Sequence, residues 1–397
     1  MDFQLTEEQL RVQALARKFA QEKIAPVAAD ADEKRYFPWD LIPEMAELGF
    51  LAGAIPPKYG GNGLDYISVA NVYEEISRAC SSVRGFLAVH LGLCSMCIYD
   101  WGTEEQKMEF LPKLARGENI GCYALTEPNA GTDVANMETT VTRDGDYYVI
   151  DGTKQWITNG NRADVALVFG TLDRSLKHKG ICAFIVKTDT PGFTRKRMEG
   201  MELGHRASDH AKMGFENMRV HKRYLLGREG DGFKVAMGAL DHGRLGVAAG
   251  AVGVAQACVD ACVDFARKRV QFSQRIGEFQ LVQEMIADMV AETDAARLLV
   301  WRAADQKIRG IKNTKETSIA KYFATEAAAR AANNAVMLHG SYGYNNKYPV
   351  ERYLRDIKGY QIYEGTNMIQ RIIIARAALK EADAAEVSRL CVDPTSI

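Results

Sequence analysis

The spacing of apolar residues changes twice along this chain, and that change limits the folds open to it. From Thr6 to about Gly121, apolar residues recur at helical intervals, which predicts a first helical region. Helices are predicted to begin at Thr6 and Thr103, each followed by Glu-Glu-Gln, and a long helix is predicted to break near Ser81. Short β-type runs separated by Asp-Gly turns follow to about Arg228, and helical spacing returns from Phe233. We therefore predict an α+β protein with an N-terminal helical domain at residues 1–121, a small central antiparallel β domain at residues 122–232 and a C-terminal four-helix bundle at residues 233–397.

The C-terminal region is rich in Ala, and its helical pattern divides into four stretches. Small residues fill the run from Ala248 to Gly253, which permits helices to pack closely. The predicted bundle helices are Ala248–Arg269, Gln280–Gly310, Thr314–Leu338 and Val350–Tyr363.

The composition argues against several classes of partner. The 397 residues are 47% hydrophobic and 25% charged, and a net charge of −1 gives no reason to expect a nucleic acid or an anionic membrane. No apolar run approaches the roughly 18 residues of a membrane span, and the acidic stretch Met1–Glu8 is unlike a signal or transit peptide. Eight scattered cysteines fit a reducing compartment, so we expect a cytoplasmic protein. Cys94 and Cys97 lie in an apolar helical stretch without a second pair, so we expect no metal site there.

A candidate catalytic carboxylate stands in the short stretch from Tyr363 to Asn367. Helical patterns precede and follow it, and Gly365 begins a turn whose Thr and Asn can cap the next helix. Glu364 therefore lies at a helix–turn–helix junction among apolar and aromatic residues. Partial desolvation there would raise its pKa towards that of a useful general base. From this stretch alone, a lone Glu in a capped loop remains the alternative.

Three separated motifs favour Glu364 as a general base over a lone Glu in a capped loop. They are Tyr123-Ala-Leu-Thr-Glu-Pro-Asn-Ala-Gly-Thr-Asp133, Gln155-Trp-Ile-Thr-Asn-Gly160 and Tyr363-Glu-Gly-Thr-Asn367. In this order they resemble the acyl-CoA dehydrogenase family, and the resemblance covers essentially the whole chain. It implies the same α, β, α order, FAD between the β domain and the C-terminal bundle, and an acyl-CoA substrate. It also implies an electron-transferring flavoprotein as acceptor and a homotetramer.

The resemblance also implies which residues contact the flavin. Thr126 and Thr158 would offer hydroxyls to the ring, and Arg269 would reach the pyrophosphate held by a neighbouring subunit, a task that suits a guanidinium fork. Met337, Ser341 and Met368 depart from the family pattern, so their contacts are not carried over. The full implied set is Tyr123, Leu125, Thr126, Gly131, Thr132, Trp156, Thr158, Arg269, Phe272, Gln280, Gly340 and Thr366.

For the reaction, the resemblance implies that Glu364 removes the α-proton while a β-hydride passes to flavin N5. The thioester carbonyl would accept hydrogen bonds from the Glu364 N–H and a ribityl hydroxyl, an oxyanion-hole arrangement. Some relatives carry the base at the position of Gly243, which cannot take a proton, so Glu364 must serve here. The implied substrate contacts are Arg84, Thr132, Asp241, Arg244, Tyr363 and Gly365.

Arg84 bears on the identity of the substrate. It stands in a segment of small and apolar residues, where a cation is costly to bury unless an anion meets it. The anion is either an internal partner such as Glu74 or Glu75, or a substrate carboxylate. Arg84 resembles the residue with which glutaryl-CoA dehydrogenases bind the distal carboxylate, although Ala88 replaces an assisting Ser.

The resemblance thus suggests glutaryl-CoA, or a substituted succinyl-CoA such as benzylsuccinyl-CoA. The alternatives are a dehydrogenase for simple short, branched or cyclic acyl-CoA and an enoyl-CoA reductase on the same fold. The acyl group, the physiological direction, the acceptor and any accompanying decarboxylation stay open at this point.

Overall fold

A computed structural model describes residues 4–392 of the chain, with side chains to residue 383. Residues 1–3 of the N-terminal stretch therefore lie outside the described residues. The described chain runs through helices, then a small sheet, then helices again, so the predicted fold class is confirmed.

The N-terminal helices begin where the sequence places their caps. Thr6 and Thr103 each form a capping box with the Gln three residues later. The predicted break near Ser81 is present, since one helix ends at Ala79 and the next begins at Ser81. Two π-helical segments, Ala20–Ile24 and Ala88–Ser95, join neighbouring helices. The helices are α1 (Glu7–Phe19), α2 (Ala25–Lys34), α3 (Ile42–Glu47), α4 (Tyr66–Ala79), α5 (Ser81–Leu87), α6 (Met96–Trp101) and α7 (Glu104–Ala115).

The β domain is one twisted sheet in the order β6-β7-β3-β2-β4-β5-β8, with β1 beside β4. β1 and β2 each pair with β4 in parallel, while the remaining pairs of this sheet are antiparallel. Tyr123 and Leu125, near the end of β1, belong to the apolar core that the helices build. The strands are β1 (Gly121–Ala124), β2 (Thr140–Asp144), β3 (Tyr147–Thr158), β4 (Val165–Thr171), β5 (Ile181–Lys187), β6 (Phe193–Arg197), β7 (His210–His221) and β8 (Leu225–Leu226).

Up to residue 392, where the described part of the chain ends, the C-terminal region holds five long or medium helices and a short hairpin. The first helix begins at Gly232, so the predicted start at Ala248 is wrong. Glycines at 238, 243 and 246 lower helix propensity locally, but burial and close packing override that preference. The elements are α8 (Gly232–Lys268), β9 (Val270–Gln271), β10 (Gln274–Arg275), α9 (Gln280–Ile308), α10 (Thr314–His339), α11 (Val350–Ile362) and α12 (Asn367–Val392).

Two helical stretches, Ser81–Trp101 and Gly232–Lys268, are long and apolar enough to cross a membrane by length and composition. The prediction that no apolar run approaches the length of a membrane span is therefore not confirmed. In these two stretches, 94% and 78% of the most apolar window is buried inside the protein. Core helices of a large protein have this property. Cys94 and Cys97 lie within the first stretch, where burial raises the pKa of both thiols.

Candidate active site

The turn between α11 and α12 carries Glu364 in an unusual backbone conformation. α11 ends at Ile362 and α12 begins at Asn367. Glu364 has a φ of +56° and Gly365 a φ of +91°, so two successive residues lie in the left-handed region. Glycine adopts that region freely, whereas a residue with a Cβ does so at a cost of about 1–2 kcal/mol. The surrounding structure must therefore hold Glu364 in place.

Side chains from three helices hold the two carbonyls of this turn. Arg244 Nε on α8 donates a hydrogen bond to Glu364 O at 3.2 Å. Lys321 Nζ on α10 and Gln370 Nε2 on α12 both donate to Gly365 O, at 2.5 and 2.9 Å. Lys321 and Gln370 are fully buried. Because each donor comes from a different helix, the packing of the bundle fixes the turn.

The Glu364 carboxylate is desolvated. Its Oε2 atom is buried and has no hydrogen-bond partner among the residues that the structure describes. Burial raises the pKa of Glu364 to about 7, against the opposing charges of Arg84, Lys321 and Arg244. A carboxylate with this pKa is a suitable general base near neutral pH.

Gly243 on α8 leaves the space that this carboxylate fills. A Cβ on Gly243 would lie 1.9 Å from Glu364 Oε2 and 2.7 Å from Leu93 Cδ2. Any larger residue would therefore displace the carboxylate.

The two predicted substrate contacts on α8, Asp241 and Arg244, are adjacent, because Arg244 Nη1 donates to Asp241 Oδ1 at 3.0 Å.

Arg84 is 1% exposed and lies beside the same turn. Its Nε donates to the Tyr360 hydroxyl at 3.2 Å, and its Nη2 donates to the Tyr363 hydroxyl at 2.5 Å. Its guanidinium carbon lies 4.3 Å from the centroid of the Tyr360 ring, a cation–π contact. Burial lowers the pKa of Arg84, but the phenols of Tyr360 and Tyr363 and the carboxylate of Glu364 raise it overall. The guanidinium is therefore charged.

The alternative that Glu74 or Glu75 is the internal partner of Arg84 is wrong. Glu74 is paired with Arg297 at 2.9 Å, and Glu75 with Arg17 at 2.6 Å. Throughout residues 4–383, Arg84 forms no salt bridge, and its hydrogen-bond partners are two neutral phenols. A guanidinium has five N–H donors, and these two bonds use only part of them.

The predicted flavin residues of the β domain gather at the end of β1 and on β3. The pairing of β3 with β7 is interrupted between Lys154 and Ile157. Within this interruption Trp156 has a φ of +62° and is 51% exposed, so its ring turns out of the sheet. The Gln155 N–H donates to Thr126 O at 2.9 Å, which brings the chain after β1 next to Trp156.

Tyr123 joins this surface to the helices. It is buried, and its hydroxyl donates to Ala236 O on α8 at 3.2 Å. Leu125 packs into the same helical core. The surface beside them is lined by further predicted residues, half-buried Thr126 and Thr158 and exposed Gly131 and Thr132. A Cβ on Gly131 would meet no atom within 4 Å, so there is open space at this point.

A buried ion pair supports the turn that follows β1. Lys154 Nζ lies 2.7 Å from Glu127 Oε1 and donates to Leu125 O at 3.1 Å. The side chains of the pair are 0% and 1% exposed. Glu127 also accepts hydrogen bonds from the backbone N–H groups of Glu138 and Thr139. With its charges and lone pairs satisfied, the pair can rigidify the loop.

The remaining predicted flavin residues lie near the C-terminal end of α8, which is Lys268. The Arg269 guanidinium lies 5.2 Å from the centroid of the Tyr342 ring, next to the loop that begins at Gly340. Phe272 is 91% exposed. The group consists of Arg269, Phe272, Gln280 and Gly340.

The structure does not bring this second group to Glu364 within one chain. At about 1.5 Å per residue, the stretch from Arg244 to Arg269 spans about 37 Å. Arg269 and Phe272 therefore lie far from the Glu364 turn of their own chain. Thr366, in contrast, lies in the Glu364 turn and caps α12, since its Oγ1 accepts from the Ile369 N–H at 3.4 Å.

The β-domain surface fits FAD. An indole face, half-buried hydroxyls and the open space beside Gly131 suit a flat ring with a polar edge and an extended phosphate chain. Tyr123 and Leu125 supply apolar walls. Burial raises the pKa of the Tyr123 phenol, and the charges of Cys97 and Glu364 raise it further.

Sequence reasoning missed Lys321, Gln370 and the Lys154–Glu127 pair. A signal existed for Lys321, since it is a cation on a stripe of α10 that otherwise carries small uncharged residues. These buried residues are Thr317, Ser318, Ala324, Thr325 and Ala328. Helical spacing places these residues on one face. A cation on a buried face needs a partner, but the partner is a distant backbone carbonyl that the sequence does not reveal.

Comparison with known proteins identifies what the chain is similar to. Models of the acyl-CoA dehydrogenase N-terminal, middle and C-terminal domains match residues 6–118, 122–218 and 230–379. An acyl-CoA dehydrogenase of Bacillus subtilis is 43% identical over 94% of this chain and 99% of the relative. A short-chain specific acyl-CoA dehydrogenase of Clostridium acetobutylicum is 41% identical, with the same coverages of 94% and 99%.

Several solved structures are similar to this chain over nearly its whole length. Butyryl-CoA dehydrogenase from Megasphaera elsdenii superposes with a TM-score of 0.93 at 40% identity, covering 96% of this chain and 100% of that one. A glutaryl-coenzyme A dehydrogenase in complex with glutaryl-CoA gives 0.93 at 38% identity, covering 96% and 97%. A chain from work on the electron transferring flavoprotein of Acidaminococcus fermentans gives 0.94 at 42% identity, covering 96% and 100%.

Proposed function

The chain belongs to the acyl-CoA dehydrogenase family of FAD-dependent oxidoreductases, and from this premise we propose that its acyl-CoA substrate carries a distal carboxylate. Arg84 carries the proposal. It is a charged, fully buried guanidinium beside the Glu364 turn, and within the described part of the chain it forms no salt bridge with a carboxylate. Such a cation is stabilised once an anion reaches it.

The position of Arg84 fits the far end of an acyl chain. Tyr363 directly precedes Glu364, and its hydroxyl accepts from Arg84. A short acyl group whose α-carbon lies at Glu364 would therefore direct its distal end towards the guanidinium. Glutaryl-CoA and substituted succinyl-CoA thioesters carry a carboxylate at that distal end. The relative solved with glutaryl-CoA supports this choice.

In the proposed reaction Glu364 takes the α-proton of the thioester. Its buried Oε2 atom is free to accept that proton, and the turn is held by donors to its two carbonyls. When bound, FAD supplies the acceptor for the hydride that leaves the β-carbon. Thr126, Thr158 and Trp156 would hold it on the β-domain side, with Gly131 and Thr132 beside its phosphates. Asp241 and Arg244 would lie towards the CoA moiety.

The second candidate is a dehydrogenase for simple short acyl-CoA. It is supported by the relative described as short-chain specific and by the butyryl-CoA dehydrogenase structure. The two candidates differ in the charge at the far end of the acyl group, so a neutral isostere separates them.

We expect glutaryl-CoA or benzylsuccinyl-CoA to be oxidised with a kcat/KM about 10- to 150-fold above that of the ω-methyl ester of the same thioester. This range corresponds to a charge-assisted contact worth about 1.5–3 kcal/mol. Steady-state kinetics over a panel that includes butyryl-CoA and isobutyryl-CoA measure the ratio. If butyryl-CoA is the best substrate and the ester is as good as the acid, the simple short-chain candidate holds.

We further propose a cytoplasmic homotetramer that passes electrons to an electron-transferring flavoprotein. The acceptor is supported by the similarity to the chain from work on such a flavoprotein. The assembly is supported by the about 37 Å of α8 that separate Arg244, which holds the Glu364 turn, from Arg269. It is also supported by Phe272 and Tyr344, which are 91% and 90% exposed. Free cysteines buried in the described chain support a reducing compartment.

We expect the purified protein to be a yellow tetramer with about one FAD per chain, and Arg269→Met to lose FAD. A methionine cannot bind phosphate, so retention should fall about tenfold or more. Fluorescence of released FAD and light scattering measure retention and assembly. Arg267→Met is the matched control, since Arg267 is an exposed residue near the same helix end. A monomer that keeps FAD in both variants would contradict the shared-site proposal.

A further inference from the structure

Lys321 is a buried cation that the reaction described above does not use. It lies on α10, is 0% exposed and donates to Gly365 O at 2.5 Å. Its neighbours on the buried face of α10 are Ala, Ser and Thr residues. An ammonium group in such surroundings is costly unless it meets hydrogen-bond acceptors and an opposite charge.

The opposite charge is Glu364. The ionisable groups that act on Lys321 are Glu364, which favours its charged form, and Arg244, which opposes it. Burial is the largest influence and lowers the pKa of Lys321 to about 7. Glu364 in turn is influenced by the cations Arg84, Lys321 and Arg244. Each buried group therefore favours the ionised state of the other.

The hydrogen bond of Lys321 also has a mechanical role. The peptide units around Glu364 and Gly365 adopt positive φ angles. Arg244 holds the first carbonyl, and Lys321 together with Gln370 holds the second. Removal of the ammonium leaves Gly365 O with the single donor Gln370, so the left-handed turn is held less firmly.

We propose that Lys321 is a positioning residue for the reaction: it holds the Gly365 carbonyl and supplies a positive charge that keeps Glu364 ionised before proton abstraction. The proposal rests on the proposed role of Glu364 as the base. It assigns Lys321 no contact with substrate, and it explains why a cation stands on an otherwise uncharged stripe of α10.

The test compares Lys321→Met with Lys321→Arg in FAD-loaded protein. Stopped-flow bleaching of the flavin by saturating substrate is followed across the neutral pH range. The rate should rise with pH as Glu364 ionises. Loss of a nearby positive charge disfavours the carboxylate, so in Lys321→Met the midpoint should move upwards by about one unit and the rate below it should fall about tenfold. Substrate Kd should change by less than about threefold.

Lys321→Arg keeps a permanent charge, so its midpoint should equal or lie below that of the wild type. Lys315→Met is the matched control, because Lys315 lies on the same helix but pairs with Glu381 at the surface. Its profile should equal that of the wild type. Circular dichroism and FAD content verify that each variant is folded.

An unshifted midpoint in folded Lys321→Met overturns the proposal, as does an equal loss of rate at every pH that Lys321→Arg fails to restore. If Lys321→Met does not fold, Lys321→Arg decides alone: an upward shift of its midpoint overturns the proposal. Failure of the base assignment is separate, since it appears as retained bleaching in Glu364→Gln, whatever the Lys321 variants do.

Discussion

Glu364→Gln is expected to lose substrate-dependent bleaching of the flavin by about 10²- to 10⁴-fold, the usual contribution of a positioned general base. The amide has the shape of the carboxylate but cannot accept a proton. The groups around it offer no replacement. Burial raises the pKa of the Tyr73 and Tyr123 phenols well above the ordinary value, and Gly243 has no side chain.

Single-turnover absorbance after mixing with substrate measures the loss, and spectral perturbation of the flavin measures binding. Binding should remain within about threefold, because the removed interaction belongs to the transition state. Glu381→Gln, an exposed position on α12, is the control for loss of a carboxylate in that helix. Bleaching at close to the wild-type rate in Glu364→Gln would identify another base.

Arg84→Met is expected to reduce kcat/KM for the carboxylated thioester by about 10- to 150-fold and to leave its methyl ester within about threefold. Methionine retains much of the buried volume but carries no charge. Because Arg84 also favours ionisation of Glu364, its removal raises the pKa of the base. The comparison is therefore made at a pH well above the midpoint of each variant.

The ratio of acid to ester in the same variant is the internal control, because a general defect lowers both. Arg84→Lys should recover only part of the selectivity, since an ammonium lacks the bidentate fork. Equal losses for acid and ester would show that Arg84 supports the Tyr360 and Tyr363 phenols and does not bind the substrate.

Local sequence patterns predict many of the helix starts and turns of this protein. They do not predict features that depend on contacts between residues far apart in the sequence. The capping residues Thr6 and Thr103 and the turn at Gly365 follow local rules, and the structure has them where they are predicted. The start of α8 does not follow such rules, because its glycines are compensated by packing against other elements. Arg84 and Lys321 are each recognisable in the sequence as an unusual cation. Their partners could not be predicted, because those of Arg84 are hundreds of residues away and that of Lys321 is tens of residues away.

The glycines of α8 restrict how this active site can evolve. A side chain at Gly243 would displace the Glu364 carboxylate, one at Gly246 would approach the Tyr73 ring at 3.2 Å, and one at Gly250 would lie 2.7 Å from Arg84 Nε. As long as the base stands at Glu364, most substitutions of these glycines disturb the base or its neighbours. New substrate ranges should then arise from the wall formed by α4 and α5, where Arg84 stands. Related enzymes that keep their base at the position of Glu364 should therefore differ at that wall and share their small residues on α8.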